Sequence, residues 1–153
     1  VSGLELRVPP PLVATLCTIA MYGLSRIAPT WLWILPYATA LALCVATTGL
    51  LVAVAGVLAF RRQRTTINPL HPEQSTALVT TGIYRHTRNP MYLGLLLVLL
   101  GFAIWLGNVL APIMLVAFVL YLTRFQIVPE ERVLREKFGE EYARYMRRVR
   151  RWL

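Results

Sequence analysis

The sequence predicts an all-α integral membrane helical bundle, with about four transmembrane helices and a cytoplasmic C-terminal amphipathic helix. Three observations carry that expectation. Of the 153 residues, 57% are hydrophobic and only 15% charged, and the mean hydropathy of +0.58 reflects long apolar runs that hydrocarbon solvates better than water does. The net charge of +9 is unevenly placed, since only Arg7 and Arg26 among the sixteen Lys and Arg precede residue 60. The connections between apolar runs alternate between uncharged and basic, as they do in a chain that crosses a bilayer repeatedly.

The first span is expected over 12–28, entered after Pro9-Pro10-Pro11 and ended near Pro29. A second runs over 34–60, and at 1.5 Å per residue it crosses the hydrocarbon core and projects beyond it. The third and fourth, 91–106 and 109–127, are parted only by Gly107 and Asn108, a break that demands an antiparallel hairpin. Charge is absent from 29–33 and 107–108, whereas Arg61, Arg62, Arg64, Arg85, Arg88 and the basic tail fall on the opposite side. Both termini and the 61–89 loop are therefore expected in the cytoplasm, with Arg26 snorkelling at the outer face.

The last segment, VPEERVLREKFGEEYARYMRRVRRWL, reads as a helix over 129–149. Pro129 suits its first turn, and Glu130 and Glu131 suit its positive end. At 100° per residue Leu134, Phe138, Tyr142, Tyr145, Met146 and Val149 form one stripe. Glu130, Glu131, Glu141 and Arg148 fall on or beside that stripe, where a carboxylate needs a cationic or hydrogen-bonding partner.

Cys17 and Cys44 lie inside apolar runs and read as small core residues; neither a disulfide framework nor metal-type spacing is present. No nucleic-acid motif accompanies the basic balance, so no nucleic-acid partner is expected. Residues 1–11 do not read as part of a cleavable signal peptide, because the run that follows them is not closed by a small-residue cleavage site.

The stretch TTGIYRHTRNPMYLG, residues 80–94, is denser in polar groups than membrane anchoring requires. Thr81-Gly82 signals a turn, and Asn89-Pro90 reads as a helix start with Asn as cap and Pro at the first position. Arg85 and Arg88 alone would be positive-inside anchors, Tyr84 and Tyr92 interfacial aromatics, and His86 and His71 ordinary loop residues. Together, however, the Arg-Asn-Pro start and the Glu-Glu start are expected on one membrane face, both helix N-termini turned toward one cytoplasmic pocket. Such a pocket suits a zwitterionic cofactor on one side and a lipid-like molecule on the other.

The pattern Gly82, Tyr84, Arg88, Asn89, Pro90, Tyr92, Gly94, followed by Glu130-Glu131, Phe138-Gly139, Glu141-Tyr142, Tyr145 and Arg148-Val149, resembles the signature of the isoprenylcysteine carboxyl methyltransferases and their phospholipid methyltransferase relatives. The resemblance covers about residues 61–150. It implies transfer of a methyl group from S-adenosyl-L-methionine, leaving S-adenosyl-L-homocysteine, to a lipophilic acceptor: a prenylcysteine-like carboxylate, an aminophospholipid or a small apolar molecule. It also implies residence in a bacterial inner membrane or the endoplasmic reticulum. Gly82, Tyr84, Arg88, Asn89, Pro90, Tyr92, Glu130 and Glu131 would line the cofactor site. Arg88, Glu131 and Arg148 would carry the chemistry, the arginines holding a carboxylate of substrate or cofactor and Glu130 or Glu131 answering the cofactor's ammonium. The family usually has His in place of Asn89, so no acid–base role falls to residue 89.

Two other readings share parts of the pattern. Membrane sterol reductases, which use a nicotinamide cofactor, resemble the C-terminal half, but their Pro-x-Tyr-x-Gly element continues into Glu where this chain has Leu95. A non-catalytic scaffold gripping anionic lipid through RYMRRVRRWL would use the basic tail but none of the inward-facing acids.

Overall fold

In the computed structural model the described residues, 5–63 and 77–153, are helical with no strand among them. Arg64 and His71 lie outside those residues. Helix α1 spans Pro10–Ile27, α2 Ala38–Arg62, α3 Pro90–Leu106, α4 Ala111–Leu122 and α5 Val128–Arg148; a 3₁₀ turn, Gly82–Arg85, precedes α3. Two helices are long and apolar enough to cross a membrane: α2, and the continuous helix that begins at Ala111. Helix α3 is more apolar than α2 but has 17 residues.

Helix α2 starts at Ala38 rather than 34, because residues 31–33 are drawn into another interaction. Trp33 N–H donates to Gly107 O at 2.8 Å, and Val109 N–H donates to Trp31 O at 2.9 Å. Buried Asn108 adds its Nδ2 to Ala28 O at 2.8 Å, and its Oδ1 accepts from Leu110 N–H at 2.9 Å. The two uncharged connections thus share one end of the molecule. At the other end Phe60 meets Tyr84, with ring centroids 5.4 Å apart. Glu5 lies there too, paired with Arg124 at 3.2 Å and Arg132 at 3.5 Å.

Helices α2 and α3 cross through small residues. A Cβ built on Gly49 would lie 2.6 Å from Gly94 O, and one on Gly94 would lie 2.5 Å from Gly49 O. Gly101 stands as close to α2, 2.7 Å from Ala42 O by the same measure. In hydrocarbon, where apolar burial gives helices no reason to associate, such close backbone approach supplies the dispersion contacts that hold them. A central cluster joins α1, α3 and α4 through Met21, Leu99, Ala103, Ala111, Phe118 and Leu122. Much of the remaining apolar surface faces outward, including Ile19, Leu43, Leu51, Val116 and Leu120. Cys17 is buried as expected, but Cys44 belongs to the outward face of α2.

The expected break between the fourth span and the tail helix is absent. Helix α4 runs through a π-helical turn, Thr123–Ile127, straight into α5. Pro129 has no N–H to give the helical ladder, and a wider turn is one way a helix absorbs such a loss without stopping. Glu130 and Glu131 therefore do not sit at a free helix N-terminus, and the idea of two N-termini converging on one pocket is corrected. The carboxylates enter from the side of a continuous helix. Further along, Gly139 takes φ 50, ψ −125, which bends α5 where only glycine fits without strain. Tyr142, Tyr145 and Val149 then bury together with Leu134, Phe138, Met146 and Leu78 packed around them.

Candidate functional site

The polar turn before α3 is shaped by short-range bonds. Gly82 opens it at φ 62, a left-handed conformation natural to glycine. Tyr84 is buried, and its carbonyl accepts from Tyr145 Oη–H at 2.8 Å. Buried Thr87 accepts Asn89 N–H on its Oγ1 at 3.1 Å. Asn89 does not cap α3 with its side chain; instead Nδ2 donates to Arg151 O at 2.9 Å. Pro90 fills the first helical turn as expected.

Opposite this turn lie the two acids. Tyr92 Oη–H donates to Glu130 Oε1 at 2.5 Å, and Gln126 Nε2 donates to the same oxygen at 2.6 Å. Glu130 lies past the apolar stretch of its helix. Burial raises its carboxyl to about 7, Glu131's charge adds to the rise, and the bonds from Gln126 and Tyr92 oppose it. Glu131 is buried and meets two cations. Arg151 forks onto it, Nε to Oε1 at 2.9 Å and Nη2 to Oε2 at 2.7 Å, which raises the Arg151 guanidinium further above its ordinary value. Arg88 Nη2 reaches Glu131 Oε1 at 3.2 Å.

Arg88 is only 12% exposed at its side chain, and its Nε and Nη1 are buried without a hydrogen-bond partner. Buried guanidinium N–H groups left unpaired cost free energy on the order of 1–3 kcal/mol or more. They mark a place where an oxygen acceptor fits. Around them stand Tyr142, held up to about 12 by burial first and the two glutamates next, with Arg88 opposing, and Tyr145, also raised by burial.

Of the residues expected in the site, Arg88, Tyr92, Glu130 and Glu131 come together, with Tyr84, Asn89 and Pro90 framing them. Gly82 is exposed and shapes the turn without lining it. Arg148 lies elsewhere. It is exposed, and with Thr80, Arg85, Glu141, Arg144, Tyr145 and Val149 it lines a separate cleft of about 440 Å³. Glu141, expected to face inward, is likewise exposed there. Tyr145 is common to both places, since it lines the cleft and bonds to the turn before α3.

Sequence reasoning missed Arg151, Gln126 and Thr87. Gln126 stands four residues before Glu130, a spacing at which helical side chains meet, and could have been found. Arg151 could not, because its position depends on how the chain leaves α5.

Residues 35–141 match the phospholipid methyltransferase family. The chain belongs to that family. A probable protein-S-isoprenylcysteine O-methyltransferase of Oryza sativa subsp. indica is 40% identical over 91 residues, 58% of this chain and 46% of the rice protein. Protein-S-isoprenylcysteine O-methyltransferase A of Arabidopsis thaliana is 34% identical over 104 residues, 66% of this chain and 51% of its own length. An uncharacterized protein of Haemophilus influenzae is 54% identical over 63 residues, 41% of this chain and the whole of that protein. The chain thus spans about half the length of these plant relatives. No solved structure matches it. Both halves of the site, the Arg88 turn and the Glu130-Glu131 pair, fall within the span that matches the family.

Proposed function

We propose that this protein is an S-adenosyl-L-methionine-dependent methyltransferase acting on a lipophilic acceptor at the membrane interface. The observation that carries the reading is that Arg88 Nε and Nη1 are buried and unpartnered, where the two segments that resemble the family's signature meet. An anionic oxygen fits either of them: a carboxylate oxygen accepts a charge-assisted bond from a guanidinium N–H and offsets its charge. Glu131 already faces two guanidinium groups, so the carboxylate left for an ammonium is that of Glu130. An amino-acid-like zwitterion therefore fits the donor set, Arg88 at one end and Glu130 with Tyr92 at the other.

When bound, the cofactor supplies the electrophilic methyl group, so the chain needs neither metal nor covalent nucleophile. Its residues act by placement. Arg88 and Glu130 fix the cofactor's amino-acid end, Tyr92 and Gln126 orient Glu130, and the buried tyrosines keep water out. The basic cleft of Arg85, Arg144 and Arg148 suits the anionic part of the acceptor, a carboxylate or a headgroup phosphate. A carboxylate acceptor needs no base, whereas an amine must first lose a proton.

The proposal includes four membrane crossings, by α1, α2, α3 and α4. The uncharged end faces away from the cytoplasm, and the site lies at the cytoplasmic boundary. The test is transfer of labelled methyl from S-adenosyl-L-methionine to a fractionated membrane extract by the purified protein, with thermal stabilisation by S-adenosyl-L-homocysteine measured alongside. Labelled lipid-soluble product and stabilisation by the homocysteine derivative but not by NADPH are expected. No product from any fraction together with no binding rejects the reading.

A further inference from the structure

Residues 149–153 do not trail away from the molecule. Beyond Arg148 the backbone turns extended at Val149, φ −123 and ψ 131, and the chain folds back over the turn before α3. Arg88 N–H donates to Arg150 O at 3.0 Å. Arg151 O accepts from Asn89 Nδ2 at 2.9 Å and from Thr87 Oγ1–H at 3.4 Å. Trp152 packs against the central apolar cluster and donates Nε1–H to Thr123 Oγ1 at 3.2 Å. Three consecutive residues of the site turn and the π-helical turn are thereby tied to one short strap.

The strap delivers the Arg151 guanidinium to Glu131, and this bears on Arg88. A carboxylate has two oxygens, and a lone guanidinium beside it takes both in a fork. Here Arg151 holds that forked position, and Arg88 reaches one oxygen with one nitrogen. Remove Arg151, and Glu131 is free to turn and fork onto Arg88, taking one spare donor, Nε or Nη1, beside Nη2. An N–H group that would receive the ligand is then spent inside the protein.

We propose that Arg151 is a positioning residue. By occupying both oxygens of Glu131, while its own carbonyl and that of Arg150 pin residues 87–89, it keeps two Arg88 N–H groups available to the cofactor's carboxylate. This rests on the methyltransferase reading and assigns to the tail a part in the same site.

The test compares binding of S-adenosyl-L-homocysteine by calorimetry in the wild type, Arg151→Ala, Arg151→Lys and, as a charge control, Arg147→Ala, whose side chain is exposed and pairs with Glu140. Arg151→Ala is expected to weaken binding about tenfold. Because the Arg151 side chain is 35% exposed, free guanidinium at millimolar concentration can reach its place, and it is expected to restore most of the lost affinity. Arg151→Lys supplies a cation without the fork and is expected to fall between wild type and Ala, while Arg147→Ala binds as wild type. Unchanged affinity in Arg151→Ala overturns the inference, as does a loss that guanidinium leaves in place, which would mark a purely structural role. Should Arg151→Ala fail to fold, the Lys variant decides, and wild-type affinity there overturns it. If wild type itself binds no cofactor, the methyltransferase reading falls and this inference with it.

Discussion

At the scale of single residues, Arg88 and Glu130 make the sharpest predictions. Replacing Arg88 by Ala removes both unpartnered donors but leaves Glu131 its fork with Arg151. Affinity for S-adenosyl-L-homocysteine is expected to fall tenfold or more, roughly what a hydrogen bond to a charged group contributes, while the fold survives; calorimetry and thermal melting separate the two effects. Glu130 gives a pH signature. Its carboxyl rises from an ordinary 4.5 to about 7, so the folded state holds this proton more tightly than the unfolded chain. The stabilising contribution is full below the ordinary value and is lost as pH climbs toward the raised one. Between pH 5 and 8 the wild-type melting temperature is expected to fall by more than that of Glu130→Gln. Binding of S-adenosyl-L-homocysteine, whose ammonium would meet Glu130, is expected to tighten over the same range in wild type alone.

At the scale of elements, α2 and α3 depend on having almost no side chain where they cross. Gly94→Val would press a branched side chain onto Gly49 O and Ala53. Overpacking of this kind costs about 1–3 kcal/mol, read as a lower melting temperature in detergent with the membrane fraction preserved. The elements themselves were legible from hydropathy and punctuation. Pro10, Pro90 and Pro112 each sit in a first helical turn; of the C-terminal stripe, Tyr142, Tyr145 and Val149 bury, with Leu134, Phe138 and Met146 partly buried against them. Proline misled in one place. Pro129 reads as a helix start, yet the chain crosses it through a π-helical turn, because a local signal cannot tell a beginning from a widened turn. The pairing of Trp31–Trp33 with the Gly107–Val109 turn was equally hidden, since it is a backbone contact between segments far apart in the chain.

At the scale of the whole molecule, the site was legible to the extent that its residues belong to motifs. Arg88, Tyr92, Glu130 and Glu131 meet because one helical hairpin returns the chain to the same end. Arg148 shares their motif but faces a different cleft, because the bend at Gly139 and the turn-back at Val149 set which arginine enters the site. Arrangement in the bilayer makes its own prediction. With Arg26 at the end that holds the two uncharged connections and Arg147 near the end of α5, single cysteines at these positions, in a chain lacking Cys17 and Cys44, should react with an impermeant thiol reagent from opposite sides of sealed vesicles. Labelling from the same side would overturn the proposed crossing pattern.

The contact between Gly49 and Gly94 has a consequence for how an acceptor with a long hydrocarbon tail could arrive. Two backbones that leave no room for one methyl group admit no acyl or prenyl chain between them. That seam is a closed door to the lipid, and any sideways entry from the bilayer must pass between other helices.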